Sequence, residues 1–157
     1  MPRIELTTLI AAPREHCFDL ARSVDSHLQS TAATGEKAVA GKLSGLLELG
    51  EEVTWRARHL GIWQHLTSRI TGLDRPAHFR DSMVRGAFAS FEHDHFFEPT
   101  RGGGTAMRDV LEFTAPLGPL GRLAERLILT RHLIRFLAER NRWLKAEAER
   151  TFVAPGR

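Results

Sequence analysis

A chain of 157 residues, 42% apolar and 26% charged with a formal net charge of +3, has the composition of one soluble globular domain with room for a sizeable core. Its single cysteine, Cys17, excludes an internal disulfide and a cysteine-only zinc site and suits a reducing compartment. The basic residues are dispersed, no stretch approaches the ~20 apolar residues of a membrane span, and no apolar segment follows a basic start, which argues against nucleic acid, membrane insertion and secretion and for a cytoplasmic protein.

Arg3 to Ile10 alternates Ile4, Leu6, Thr8 and Ile10 against Glu5, Thr7 and Leu9, which predicts a strand. Ala11-Ala12-Pro13 ends it. Pro13 suits a first helical turn, and Glu15 and Asp19 complement the N-terminal half of a short helix whose apolar side holds Phe18, Leu20 and Ala21. Ser23 reads as the cap of a second short helix ending at Ser30. A linker, Thr31 to Gly35, leads to a weak strand, Glu36 to Ala40, and a loop, Gly41 to Gly50.

Five strand-like runs follow: Glu51 to Leu60, Ile62 to Leu73, Ala77 to Arg85, Phe88 to Glu98 and Thr105 to Thr114. Gly61, Asp74-Arg75-Pro76, Gly86 and the Pro99-to-Gly104 stretch separate them, and no helical pattern intervenes, so the spacing predicts an antiparallel meander. Gly102-Gly103-Gly104 has the composition of a phosphate loop, but with strands on both sides it reads as a hairpin. After Pro116-Leu117-Gly118-Pro119, Leu120 to about Thr151 reads as one long helix of ~30 residues, ~45 Å at the helical rise. Leu120, Leu123, Leu127, Ile134, Leu137 and Leu144 fall near helical spacing, and Ile128, Leu129, Leu133 and Phe136 widen that stripe. Phe152 to Arg157 reads as a tail. The order is that of a single α+β domain over residues 1–157 with a core from 3 to 150.

That order, with particular residues, resembles the START-like superfamily, also called SRPBCC or Bet v 1-like. The residues are Gly50-Glu51-Glu52-Val53-Thr54-Trp55, Pro76-Ala77-His78-Phe79-Arg80-Asp81, Phe91-Glu92-His93-Asp94-His95-Phe96-Phe97, Gly104-Thr105-Ala106-Met107-Arg108-Asp109 and Pro116-Leu117-Gly118-Pro119-Leu120-Gly121. More narrowly, they resemble a group of bacterial SRPBCC proteins described as ligand-binding or cell-division-inhibitor-like. The resemblance implies a helix-grip fold: a curved antiparallel sheet of about seven strands wrapped around a long C-terminal helix, two short helices after the first strand, and a cavity between sheet and helix. Polyketide cyclases, lipid carriers and hormone receptors share the superfamily, so the fold does not choose among them.

Alternation assigns the inward faces. Phe91, His93, His95 and Phe97 share one face of their strand; Met107, Asp109, Leu111 and Phe113 share one face of the last strand; Phe79, Asp81 and Met83 share one face of the strand before. In a meander these strands are neighbours, so His93 or His95 lies across from Asp81 on one side and Asp109 on the other. Trp63, His65 and Thr67, and Trp55, Ala57 and His59, form two further faces able to extend the lining.

Three readings of the cluster stand side by side. Asp81, His93, His95 and Asp109 form a satisfied buried polar network; or they are the polar end of an apolar ligand pocket; or they are catalytic or hold a divalent metal. The expectation is a pocket for a small hydrophobic or amphipathic molecule, lipid-, polyketide- or aromatic-like, with no cofactor and no metal. Its walls are Trp55, Trp63, His65, Phe79, Met83, Phe91, Phe97, Leu111, Phe113, Leu127 and Phe136, and its anchor is His93 or His95 with Asp81 and Asp109. The alternatives are a cyclase- or dehydratase-like enzyme using the same His/Asp site, and a protein-interaction module using the apolar helix surface, with room for a homodimer.

Overall fold

The computed structural model describes residues 1–153, so the tail read from Phe152 onward lies beyond Val153 outside the described residues. Strand β1 (Arg3–Ile10) is followed by helix α1 (Arg14–Ala21) and helix α2 (Val24–Ser30). Pro13 stands at the N-cap of α1, and the Ser23 hydroxyl accepts from the Ser26 backbone N–H at the start of α2. The expected linker contains a single 3₁₀ turn, Ala32–Thr34.

The meander is β2 (Lys37–Gly41), β3 (Glu52–His59), β4 (Ile62–Asp74), β5 (His78–Gly86), β6 (Ser90–Pro99) and β7 (Thr105–Thr114). All pairings are antiparallel, and the seven-stranded sheet runs β1-β7-β6-β5-β4-β3-β2, with β1 returning to close against β7. Register shifts between β4 and β5, at Thr67/Ser68 and Ile70/Gly72, bend the sheet as bulges do, which lets it curl round the helix. At the β3–β4 hairpin Leu60 and Gly61 both take positive φ, 52° and 79°, the geometry of a tight two-residue turn. The triple-glycine stretch is the β6–β7 hairpin, with positive φ at Gly102 and Gly103.

The C-terminal helix departs from the single uninterrupted rod of the sequence reading. Helix α3 (Gly118–Ala124) passes through a π turn, Glu125–Leu129, into α4 (Thr130–Thr151). The Glu125 side chain is buried there because it folds back to accept the Ala115 backbone N–H where the chain leaves β7. That long-range capping bond draws the helix out of ordinary register, and periodicity carries no trace of it.

Alternation along the strands is borne out where the core forms. Ile4, Ile10, Met107, Asp109, Leu111 and Phe113 are all buried. One cluster joins Phe18 and Val24 of the short helices to Phe79, Phe97 and Leu144, with Phe18 set edge-on to Phe79 and Phe97 at 5.5 and 5.4 Å. A second joins Ile4, Leu111 and Phe113 to Leu133 and Leu137 of α4.

Candidate functional site

Strand register brings the four polar residues together. Asp81 lies opposite His93 across the β5–β6 pair, and His95 lies opposite Asp109 across β6–β7. The hydrogen bonds run diagonally instead. His95 Nε2 meets Asp81 Oδ2 and His93 Nε2 meets Asp109 Oδ1, both at 2.9 Å. His95 Nδ1 also lies 2.9 Å from Asp109 Oδ1, but out of line for a hydrogen bond. The two rings lie with centroids 3.8 Å apart and planes tilted by 34°, and Phe79 stacks on His95 at 4.1 Å.

Helix α4 completes the cluster with two residues that were not foreseen. Asn141 Nδ2 donates to Asp109 Oδ2 at 2.7 Å, and Arg140 Nη1 lies 3.4 Å from Asp109 Oδ1 and 3.0 Å from Asn141 Oδ1. Asp109 is fully buried and sits behind the histidines, not on the cavity wall. The sequence does hold a signal for the helical pair. Leu133, Leu137, Leu144 and Ala148 are its buried stripe, and Arg140 and Asn141 occupy that same stripe. Polar residues at core positions of a helix need partners, and Asp109 is the partner.

These contacts fix the protonation pattern. Burial alone would raise the Asp109 carboxyl, but the His93 hydrogen bond, the close His95 imidazole and the charge of Arg140 hold it well below the usual carboxylate range. Asp81 is likewise held low against burial, chiefly by the His95 hydrogen bond. Burial would lower His95, yet its two flanking carboxylates raise it; burial and the neighbouring His95 charge lower His93. Of the two rings, His95 is therefore the one whose surroundings favour the cationic form, and those of His93 favour the neutral one. Carboxylates only accept, so His93 donates from Nε2 to Asp109 and keeps its Nδ1 lone pair. That Nδ1, the second oxygen of Asp81, and Nε and Nη2 of Arg140 make no hydrogen bond among the described residues and are not sealed off.

A pH effect follows. His95 has a raised folded-state value, so its contribution to stability is complete below the unfolded value of about 6.5 and fades as pH rises through the folded one. His95→Gln is therefore expected to lower the melting temperature more near about pH 6 than near about pH 9, read by thermal unfolding of both proteins at each pH. An equal loss at both would mean that the proton is elsewhere.

The cluster opens on a cavity of about 150 Å³ between the sheet and α4. Trp55, Phe79, Asp81, Phe91, His93, His95, Leu111 and Phe136 line it as expected, together with Leu133 and Arg140. Other expected wall residues lie elsewhere. Trp63 is 50% exposed on the outer face, under the Arg56 guanidinium at 4.5 Å. The reason is register: Trp55 and Ala57 point inward, so their partners Leu66 and Gln64 do too, and Trp63 and Thr67 point outward. His65, though exposed, does contribute to the cavity lining. Phe97 and Phe113 are sealed in the core, Met83 is half-buried away from the cavity, and Leu127 is 61% exposed because the π turn rotates it outward.

A second polar group lines the same cavity on the β2–β3 side. His27 Nε2 meets Glu36 Oε1 at 3.0 Å, with the His27 ring 4.2 Å from Trp55. His59 Nδ1 meets His132 Nε2 at 3.0 Å, joining β3 to α4. Burial holds both His59 and His132 below the usual imidazole range, so this bond is a neutral pair.

Asp81, His93 and His95 each offer one ligand atom, all within 4.8 Å of one another, the geometry of a metal triad. Two features oppose an ion there: both Nε2 atoms are spent on carboxylates, and the Arg140 cation stands against Asp109. The arrangement favours a bound proton over a bound metal.

Comparison with known proteins gives the fold and stops there. No protein-family model and no curated protein matches the chain. Solved structures do. An aromatase/cyclase, ZhuI, from Streptomyces sp. R1128 is 17% identical with a TM-score of 0.78, covering 99% of this chain and 98% of that one. A START superfamily protein from Mycobacterium smegmatis is 13% identical with a TM-score of 0.72, covering 96% and 99%. A major latex-like protein from Panax ginseng is 16% identical with a TM-score of 0.68, covering 94% and 97%. No helix among the described residues is long and apolar enough to cross a membrane.

Proposed function

We propose that this chain, which has the START-like (SRPBCC, Bet v 1-like) helix-grip fold, binds a small, largely apolar molecule between its sheet and α4. The polar end of that molecule docks on His93, Asp81 and Arg140. One observation carries the reading: His93, Asp81 and Arg140 each keep a polar atom without a protein hydrogen bond at a cavity whose adjoining wall is Phe79, Phe91, Leu111, Leu133 and Phe136. A cluster whose task was structural would close on itself, since an unpaired buried donor or acceptor costs free energy. Here Asp109 supports the histidines from behind while the next layer faces open space. The volume of about 150 Å³ equals that of a cavity holding one benzene-sized ring, and the lining extends from β3 to β7, which favours a thin molecule over a broad one in this reading.

Trp55 lies on the wall and reports occupancy. Titration with n-decanol is expected to change its emission saturably. Ala57→Phe, which fills the cavity from a buried lining position, is expected to weaken that binding at least about tenfold while the fold persists. Absence of a saturable signal and of binding heat in the unmodified protein would sink the reading.

A second reading has its own observation. His93 is oriented by Asp109 through Nε2 with its free Nδ1 at the cavity, the arrangement of a general base. It supports acid–base chemistry on an aromatic or polyketide-like substrate. Under it, His93→Gln abolishes turnover and leaves ligand binding in place; joint loss of binding and stability would return His93 to a structural role.

A further inference from the structure

The binding reading leaves one group of cavity residues without a task. Glu36 is the sharpest case. Its side chain is only 7% exposed, it lines the cavity, and its Oε2 has no hydrogen-bond partner among the described residues. The nearby Thr31 hydroxyl is committed to the His27 carbonyl at 2.7 Å. His27 holds Oε1, and despite burial that contact with His27 keeps the carboxyl below its usual range. A buried carboxylate with a spare oxygen accepts and never donates, so what satisfies it must bring an O–H or N–H.

The location matters as much as the chemistry. Glu36 precedes β2 and His59 ends β3, whereas His93 and Asp81 lie on β6 and β5. Three strand steps separate β3 from β6 in the sheet, about 14 Å at ordinary strand spacing. Between the two polar groups the wall is mainly apolar, formed by Trp55, Ala57, Leu66, Ile70 and Phe79 with Gln64 and Ser68 among them.

We infer that the cavity has two poles and takes a thin amphiphile with a polar group at each end, the end at Glu36 being a hydrogen-bond donor such as a hydroxyl. The inference rests on the binding reading of the same cavity and specifies its ligand. A one-pole apolar pocket would bury the far hydroxyl of such a molecule without a partner and reject it. A two-pole pocket pairs both.

The test compares n-decanol with the ten-carbon α,ω-diol, read by Trp55 emission and by calorimetry on the full chain. The diol is expected to bind at least about tenfold tighter than the mono-alcohol, since a hydrogen bond to a charged acceptor more than offsets its desolvation. Glu36→Gln is expected to remove most of that advantage. Equal or weaker binding of the diol to the unmodified protein would overturn the second pole and leave the binding reading standing. A diol advantage that survives in Glu36→Gln would overturn the role of Glu36. Binding of neither alcohol would overturn the binding reading itself, and this inference with it. The comparison on the unmodified protein decides the matter even if the variant does not fold.

Discussion

Asp109→Ala is expected to cost roughly 3 to 5 kcal/mol of stability, the range found when one member of a buried charged network is removed. Four groups converge on that carboxylate: His93, His95, Arg140 and Asn141. Its removal leaves a buried guanidinium facing a buried imidazolium with nothing between them, and orphans the Asn141 amide. At ~2 to 4 °C per kcal/mol for a chain of this size, the melting temperature should fall by roughly 10 °C. Asp109→Asn keeps the volume and some hydrogen bonds, so it should fall less, yet it removes the charge that supports the His95 proton. Thermal unfolding of the two variants with the unmodified protein checks this. A loss under about 1 kcal/mol for Asp109→Ala would show that the network contributes little net stability.

Phe97→Ala is expected to cost about as much, roughly 3 to 5 kcal/mol, for a different reason. Phe97 is fully buried, stacked at 6.0 Å on Phe79 and edge-on to Phe18, and no part of it reaches the cavity. Truncation opens a void between α1 and the sheet that these rings cannot refill without leaving their positions. Because Phe97 is core and not wall, ligand affinity measured under conditions where the variant is fully folded should change little. Denaturant unfolding and a decanol titration separate the two quantities. Loss of affinity without loss of stability would place Phe97 at the ligand after all.

Those two residues also mark what the sequence discloses and what it hides. Period-two alternation found the inward set on β6 and β7, because both strands have one face against the core and a register slip would expose Met107, Leu111 and Phe113. It found the meeting of His93, His95, Asp81 and Asp109, since neighbouring strands in a meander align. It failed at Trp63. Alternation offered the face of Trp63, His65 and Thr67 as lining, but direction is set by pairing with β3, and the inward set of Gln64, Leu66, Ser68 and Ile70 is mixed in polarity. It also failed to separate wall from core for Phe97 and Phe113. Alternation gives the side of the sheet a residue faces and says nothing of its depth beneath the helix. The π turn and the partnership of Arg140 with Asp109 both depend on contacts distant in sequence, between residues 10 and 31 positions apart. A single-segment pattern contains neither. Glu36 lay at the edge of a weak strand, where nothing local distinguishes a surface carboxylate from one turned into a cavity.

Native mass spectrometry of the protein purified from its own host looks for the ligand itself. Folded, low charge states carrying a small-molecule adduct are expected, with loss of that adduct in Ala57→Phe at unchanged charge-state distribution. Folded protein at the bare polypeptide mass, with no adduct retained under the gentlest ionisation and none formed on addition of the ten-carbon diol, would contradict the binding reading.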